Sequence, residues 1–546
     1  MADRPQADVD TLLLGLDAGC RSVLDPLFED GAVPNLRSLF ENGADGPLRS
    51  QIPPWTPSAW PSVYTGVNPG KHGVFGFLTF DGYDWDVVNA THVRERTVWE
   101  ILDYHGKSSV VVNAPVTHPP REVDGAVIPG YTAPEDPECH PEGLLSDVRA
   151  EIGDYRVYAP RDASGRDEKV EWYRRLVGMR GAAFRYLADR YDPDFGFVQF
   201  QQTDTVFHEL PGDDEAVRAV YEAVDEQVGE VIDACDPDAV VVASDHGIGE
   251  YTGHEFRVNE FLREQGLVET TTEGEGMPTW STIATNRLRK GESGKAEDED
   301  RGPSVTARGL ALGAKVGLTS QRIHAALDAV GAADFVAERV PADVARRAAE
   351  QVDFPESVAY MRDRIELGVR VNLAGREPDG IVSPDDYEQV RDDLVAMLSS
   401  VETPDGDPVF DRVARREEVF SGPHVERAPD VVTVPADFDE FLSTRVGDGR
   451  FGPPSEPYNH KREGVVALAG EGVDADADLA GAHLFDVAPT VLATLGLPAG
   501  DRMDGSVLPA VGAAGTEAYP AFDADERVAT DDDDVEARLA DLGYLE

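Results

Sequence analysis

Seven residues in this 546-residue chain have side chains suited to gripping a metal ion or a phosphate: Asp17, Thr56, Asp204, His208, Asp245, His246 and His460. Asp17 directly follows the apolar run TLLLGL, Asp204 stands four residues after FGFVQF, and Asp245 comes two after AVVVA. Zinc and similar ions bind imidazole nitrogen and carboxylate oxygen at about 2.0–2.2 Å. Two such ions, roughly 3.5–4 Å apart, need about three protein ligands each. His208 is four residues after Asp204, so the two share a face if the segment is helical. Asp245 and His246 are adjacent, where a turn after a strand aims both inward.

Thr56 sits in QIPPWTPSAWPSVYTGVNPGKHGVFGF (residues 51–77), directly before Pro57. Proline favours the first position of a helix, and a threonine before it is a natural N-cap. A hydroxyl there lies beside unpaired N–H groups and the positive end of the helix dipole, a site for an anion such as phosphate. Ser58 is the competing hydroxyl, but it falls inside the helix. Each residue taken alone has an ordinary reading. An Asp after a strand caps a helix, Thr56 is a cap, and His460 is a histidine on the loop after the Pro-rich stretch 452–457. The joint pattern is not accounted for by caps. Other histidines, such as His92, His105, His140, His254, His324 and His483, read as structural or surface residues.

The elements that must position these groups alternate. Continuous apolar runs at 11–16, 108–113, 195–200, 239–243 and 464–469 read as strands, the first with the pattern of a buried parallel one. Helical patterns lie at 34–43, 97–106, 168–191, 214–235, 385–398 and 484–496. The expected fold is α/β: a mostly parallel central sheet with helices on both faces, a smaller α+β subdomain and a helical insertion. Ligand sites in such sheets lie beyond the C-terminal strand ends, where Asp17, Asp204 and Asp245 converge. Residues 1–265 and 452–515 are read as the catalytic core, 266–350 as a variable insertion, 351–451 as the smaller subdomain and 516–546 as an acidic tail. Within the insertion, 270–304 reads as a mobile polar loop and 307–349 as helical. A further helix is expected at 534–542.

The chain carries 49 Lys and Arg against 104 Asp and Glu, a net charge of −55, and only seven of the cations are Lys. An acidic excess of this size repels nucleic acid and anionic membranes, so neither is an expected partner. Spread along the whole chain, it fits a surface adapted to concentrated salt, where screening removes self-repulsion. No run approaches the roughly 18 apolar residues that span a bilayer, and no secretory signal is visible at the N-terminus. Cys20, Cys139 and Cys235 are odd in number and lack metal-type spacing, which fits a reducing cytoplasm.

The chain resembles the alkaline phosphatase superfamily, specifically its type I phosphodiesterase/nucleotide pyrophosphatase branch, as a haloarchaeal-type member. The matching stretches are LLLGLDA, PPWTPSAWPSVYTGVNPGKHGVFGF, VVNAPVTHPP, QQTDTVFH, SDHG, VNEFLREQG, NLAGREPDGIVSPDDYEQVRDDL, APDVV, NHKREGVVALAG and DVAPTVLATLGLP followed by MDG. Little is recognisable in 270–350. The resemblance implies two divalent metals, usually zinc, with manganese or iron also open. It places one ion on Asp204, His208 and His460, and the other on Asp17, Thr56, Asp245 and His246. It makes Thr56 the nucleophile of a phosphate ester hydrolase that forms a covalent phospho-threonine.

One departure stands out. Nucleotide pyrophosphatases carry an Asn shortly after the HG pair, and here that position is Phe77. Asn113 and Lys71 are weak replacements as substrate contacts. Diesters or pyrophosphates are the expected substrates. A phosphomonoesterase and a phosphotransferase resembling the cofactor-independent phosphoglycerate mutases remain alternatives, and a non-catalytic relative is a third reading. The mutase reading needs a basic phosphate-clamping domain after the nucleophile, and the segment from Phe77 to residue 195 is short for one.

Overall fold

The structure is a computed structural model, and it describes residues 9–160, 163–271, 350–520 and 522. The expectations for 272–349 and for the tail beyond 522, including both helical readings, lie outside the described residues.

Nine strands carry the argument: β1 (Thr11–Leu16), β2 (Ala44–Arg49), β3 (Ser109–Ala114), β4 (Gly125–Pro129), β5 (Phe195–Phe200), β6 (Ala239–Ala243), β7 (Gly247–Glu250), β8 (Tyr458–Lys461) and β9 (Glu463–Gly470). Seven of them form the central sheet, in the order β2-β9-β6-β1-β5-β3-β4. β1 pairs in parallel with both β5 and β6, and β3 pairs in parallel with β5 and β4. β9 runs antiparallel between β2 and β6. Every residue of β1, β3, β5 and β6 is buried. That is why these strands read as unbroken apolar runs: helices cover both faces, so there is no polar side to alternate with.

The helices used below are α1 (Thr56–Thr65), α2 (Arg166–Tyr191), α3 (Gln202–Glu209), α4 (Asp214–Cys235) and α5 (Val487–Thr494). On one face α2 and α4 cover a core built from Leu12, Leu14, Val198, Phe200, Val242 and Val224. On the other, α1 and α5 cover Leu13, Val111, Phe197, Val241, Trp60 and Val491. A second, four-stranded sheet joins Ala359–Tyr360, Gly368–Val371, Val431–Pro435 and Phe410–Arg415, with the helix Tyr387–Ser399 beside it. This is the smaller α+β part, and its apolar cluster is continuous with Trp55, Phe75 and Phe77.

The register brings three C-terminal strand ends level. Leu16 pairs with Phe200, and Gly15 with Ala243, so the residues after β1, β5 and β6 emerge at one edge of the sheet. β7 and β8 form a separate two-stranded ribbon, with His460 opposite Ile248. This corrects one expectation: His460 lies on a strand, not a loop, and the ribbon carries it back over the end of β6.

Candidate active site

Two groups of three acidic and imidazole side chains stand at that edge. Asp17, Asp245 and His246 form one, and Asp204, His208 and His460 the other; within each, the potential ligand atoms lie within 4.8 Å of one another. In the first group His246 Nε2 is 3.6 Å from Asp17 Oδ1 and 3.2 Å from Asp245 Oδ2. In the second, Asp204 Oδ1 is 3.2 Å from His208 Nε2 and 3.7 Å from His460 Nε2. α3 supplies the helical turn that puts Asp204 and His208 on one face. The two groups meet where the His246 and His460 rings stack, centroids 3.7 Å apart.

Thr56 joins the first group. Its Oγ1 is 3.4 Å from both Asp17 Oδ1 and His246 Nε2. The cap expectation needs correcting. Trp55 is the N-cap, Thr56 is the first helical residue and its hydroxyl makes no capping bond. Pro57 has no N–H, and those of Ser58 and Ala59 close on the Trp55 carbonyl. The hydroxyl therefore faces the acidic cluster instead of serving its own helix. Ser58 is excluded as a rival, because its Oγ donates to the Val74 carbonyl at 2.9 Å and accepts from Gln51.

The tautomers are set by second partners. His246 Nδ1 lies 2.9 Å from the Gly247 carbonyl and His460 Nδ1 lies 2.8 Å from the Pro54 carbonyl. A carbonyl only accepts, so both Nδ1 atoms carry a proton and both Nε2 atoms face the carboxylates. Asp17 is oriented in the same manner. Its Oδ2 accepts from Trp60 Nε1 at 2.9 Å and Gln199 Nε2 at 2.7 Å, leaving Oδ1 toward Thr56. Gly15 makes room for this, since a Cβ there would sit 2.6 Å from the Trp60 ring.

Burial pushes the Asp17 carboxyl well above the usual range, helped by repulsion from Asp245 and Asp204. Asp245 is pushed up to about 6, again mainly by burial and by Asp204, against the pull of His246. Asp204 is also buried, but the His208, His460 and His246 imidazoles outweigh desolvation and hold it well below the usual carboxylate range. His460 is driven well below its ordinary value by burial and by His246. Buried carboxylates crowded in this way need a compensating cation. Two of their oxygens, Asp204 Oδ1 and Asp245 Oδ2, are buried with no hydrogen-bond partner. Orphaned oxygens beside inward-facing imidazole Nε2 atoms are a donor set that fits divalent metal.

The second group and Thr56 open onto a cavity of about 570 Å³, whose wall includes Trp55, Phe77, Tyr131, Tyr158, Asp363 and Arg364. Phe77 meets Tyr131 edge-to-face at 6.2 Å, so the position expected to carry an amide is part of an aromatic wall. The two weak substrate expectations are not supported by the geometry. Asn113 donates its amide to Gln199 O and Oε1 at 3.0 and 2.7 Å. Lys71 Nζ is engaged by the Arg502 carbonyl and Asp504. Sequence reasoning missed Trp60 and Gln199 behind Asp17. It also missed Gln202, whose buried Oε1 has no hydrogen-bond partner in a residue lining the cavity.

The profile of the family described as type I phosphodiesterase / nucleotide pyrophosphatase matches residues 11–316, more than half of the chain. The chain belongs to this family. Its members are phosphoesterase hydrolases, and this chain is an enzyme of that class. No curated protein matches it. Among solved structures, phosphonoacetate hydrolase from Sinorhizobium meliloti 1021, in complex with phosphonoacetate, is 18% identical, with a TM-score of 0.52 over 90% of this chain and 96% of the other. That likeness shows a shared fold. Murine ectonucleotide pyrophosphatase / phosphodiesterase 5 with AMP is 12% identical, with a TM-score of 0.45 over 93% and 97% of the two chains. Among the described residues no helix of this family member is long and apolar enough to cross a membrane.

Proposed function

We propose that this protein is a two-metal hydrolase of phosphodiester or pyrophosphate bonds that works through a phospho-threonine on Thr56. The observation that carries the reading is the Thr56 hydroxyl, 3.4 Å from both Asp17 and His246, at a helix start beside an open cavity. Asp17, Thr56, Asp245 and His246 would hold one ion, and Asp204, His208 and His460 the other. Zinc suits this mixture of imidazole and carboxylate, and manganese or iron accept the same donors. Bound ions would supply charge stabilisation to the attacking and leaving oxygens.

The chain's own part follows. Thr56 Oγ1 gives its proton to water in the cavity and bonds to phosphorus, while the alcohol or phosphate on the opposite side departs with the P–O bond electrons and takes up a proton from water. The Thr56 N–H, which meets no acceptor among the described residues, is placed to hold a phosphoryl oxygen. Water then attacks the phospho-threonine and releases the product from Oγ1. The aromatic wall has room for a sizeable leaving group. The acidic composition fits a protein working in a salt-rich cytoplasm.

The test is turnover of bis-p-nitrophenyl phosphate against the monoester in high salt, for the wild type and Thr56→Ala. The variant is expected to lose turnover while binding the same metal. Full activity in Thr56→Ala would sink the nucleophile assignment.

A further inference from the structure

The segment around Thr56 contains a closed circuit of hydrogen bonds that the chemistry above does not use. Val74 N–H donates to His72 Nδ1 at 3.2 Å. His72 Nε2 is 2.9 Å from Ser62 Oγ, and Ser62 Oγ donates to Gln51 Oε1. Gln51 Nε2 donates to Ser58 Oγ at 2.7 Å, and Ser58 Oγ donates to the Val74 carbonyl at 2.9 Å. The circuit begins and ends on one residue. Its direction has no alternative, because Val74 N–H only donates and Val74 O only accepts. His72 must therefore carry its proton on Nε2, and each hydroxyl gives one bond and takes one.

The circuit is sealed from water. His72, Ser58 and Ser62 are fully buried and Gln51 is 2% exposed. Burial, with the repulsion of His424, drives His72 down to about 3, so it stays neutral over any working pH and the tautomer does not change. Ser58 and Ser62 lie on α1, two and six residues after Thr56. Gln51 lies on the chain entering α1, and Val74 on the chain leaving it, three residues before the cavity wall at Phe77. A bland alternative is a polar cluster that merely satisfies itself. But apolar side chains hold a helix end without the desolvation that polar groups carry. A fully satisfied buried network adds a unique orientation instead.

We propose that His72, Ser62, Gln51 and Ser58 are positioning residues that lock the start of α1 and so aim the Thr56 hydroxyl. This rests on Thr56 being the nucleophile. Misplacement of a reacting group by about 1 Å costs on the order of 100-fold in rate, which sets the expected scale.

The experiment compares the zinc-loaded full chain in high salt with Thr56→Ala, His72→Phe, His72→Gln and Ser62→Ala, on bis-p-nitrophenyl phosphate. Metal per chain and near-ultraviolet circular dichroism are measured on each. His72→Phe is expected to lower kcat roughly 10- to 100-fold, with KM and metal content within about twofold of wild type. His72→Gln returns a donor to Ser62 and is expected to recover most of the rate, which a role in bulk folding would not require. Wild-type kcat in folded His72→Phe overturns the proposal, as does a loss that merely tracks lost metal. If His72→Phe does not fold, Ser62→Ala decides: wild-type kcat in the folded variant, or failure of both to fold, overturns it. Thr56→Ala separates the two readings, because activity there removes the nucleophile assignment itself.

Discussion

His246 and His460 stack with ring centroids 3.7 Å apart and planes 17° from parallel, and each turns its Nε2 toward a different carboxylate group. The two candidate metal clusters are therefore in direct contact, although the stacked rings come from positions far apart in the sequence.

The first prediction concerns metal removal. Without cations, Asp17 and Asp245 face each other in a buried site, and burial has already raised both carboxyls. An ion present at about 1,000 times its Kd contributes roughly 4 kcal/mol to stability. At roughly 2.1 cal/mol/K of unfolding entropy per residue, that is about 3–4 °C in Tm per ion for a chain of 546 residues. Calorimetry at fixed salt, with and without chelator, is expected to show a fall of that order together with lost turnover. An unchanged Tm and unchanged turnover after chelation would refute the metal assignment.

Much of this arrangement was legible in the sequence, for a physical reason. β1, β5, β6 and α4 were readable to the residue, because strands buried on both faces and a long capped helix leave continuous patterns. β2, with the sequence ADGPLR, was not read. It holds Gly, Pro and two charges and alternates in burial, which is how a sheet-edge strand looks. β7 is GIGE and has no strand signal of its own; its pairing with β8 is tertiary. That is also why His460 was expected on a loop. The division of ligands between two ions came from family resemblance, since spacing alone says nothing about which of three strand ends a distant histidine joins. The circuit through His72 left no trace either. Gln51 and His72 reach the same Ser62 hydroxyl only because the chain reverses across α1.

A second prediction concerns Asp363, which lines the same cavity as the candidate ligands Asp204, His208 and His460. Burial and the neighbouring Glu366 push its carboxyl up to about 6, against the Ile365 N–H, Arg364 and Arg362. The folded value is above the ordinary 3.8, so the folded state favours the neutral acid. Stability from this group is present below about 4 and is lost as pH rises through about 6. Asp363→Asn keeps the shape without the charge. It is expected to stabilise the protein by about 1–2 kcal/mol at pH 7.5, after allowing for solvent at a half-buried side chain, and by nearly nothing at pH 4. Denaturant midpoints at the two pH values check this. An equal effect at both would show that the charge is not what costs stability.

The last prediction separates the cavity wall from the chemistry. Phe77 is 5% exposed, lines the cavity and meets Tyr131 edge-to-face, while Thr56 Oγ1 is held by Asp17 and His246 on a separate set of contacts. If the aromatic wall receives the leaving group, its contacts are made equally in the ground and transition states. Removing them then raises KM and leaves kcat unchanged. An aromatic contact is worth about 0.5–1.5 kcal/mol beyond burial, so Phe77→Leu, which keeps the apolar core filled, is expected to raise KM for bis-p-nitrophenyl phosphate by roughly 3- to 10-fold. The same variant should raise KM for a methyl p-nitrophenyl diester by a similar factor, because p-nitrophenolate is the leaving group in both substrates. A fall in kcat with unchanged KM would place Phe77 against the reacting phosphoryl group. The position that carries an amide in nucleotide pyrophosphatases would then touch the same part of the substrate here, through a ring.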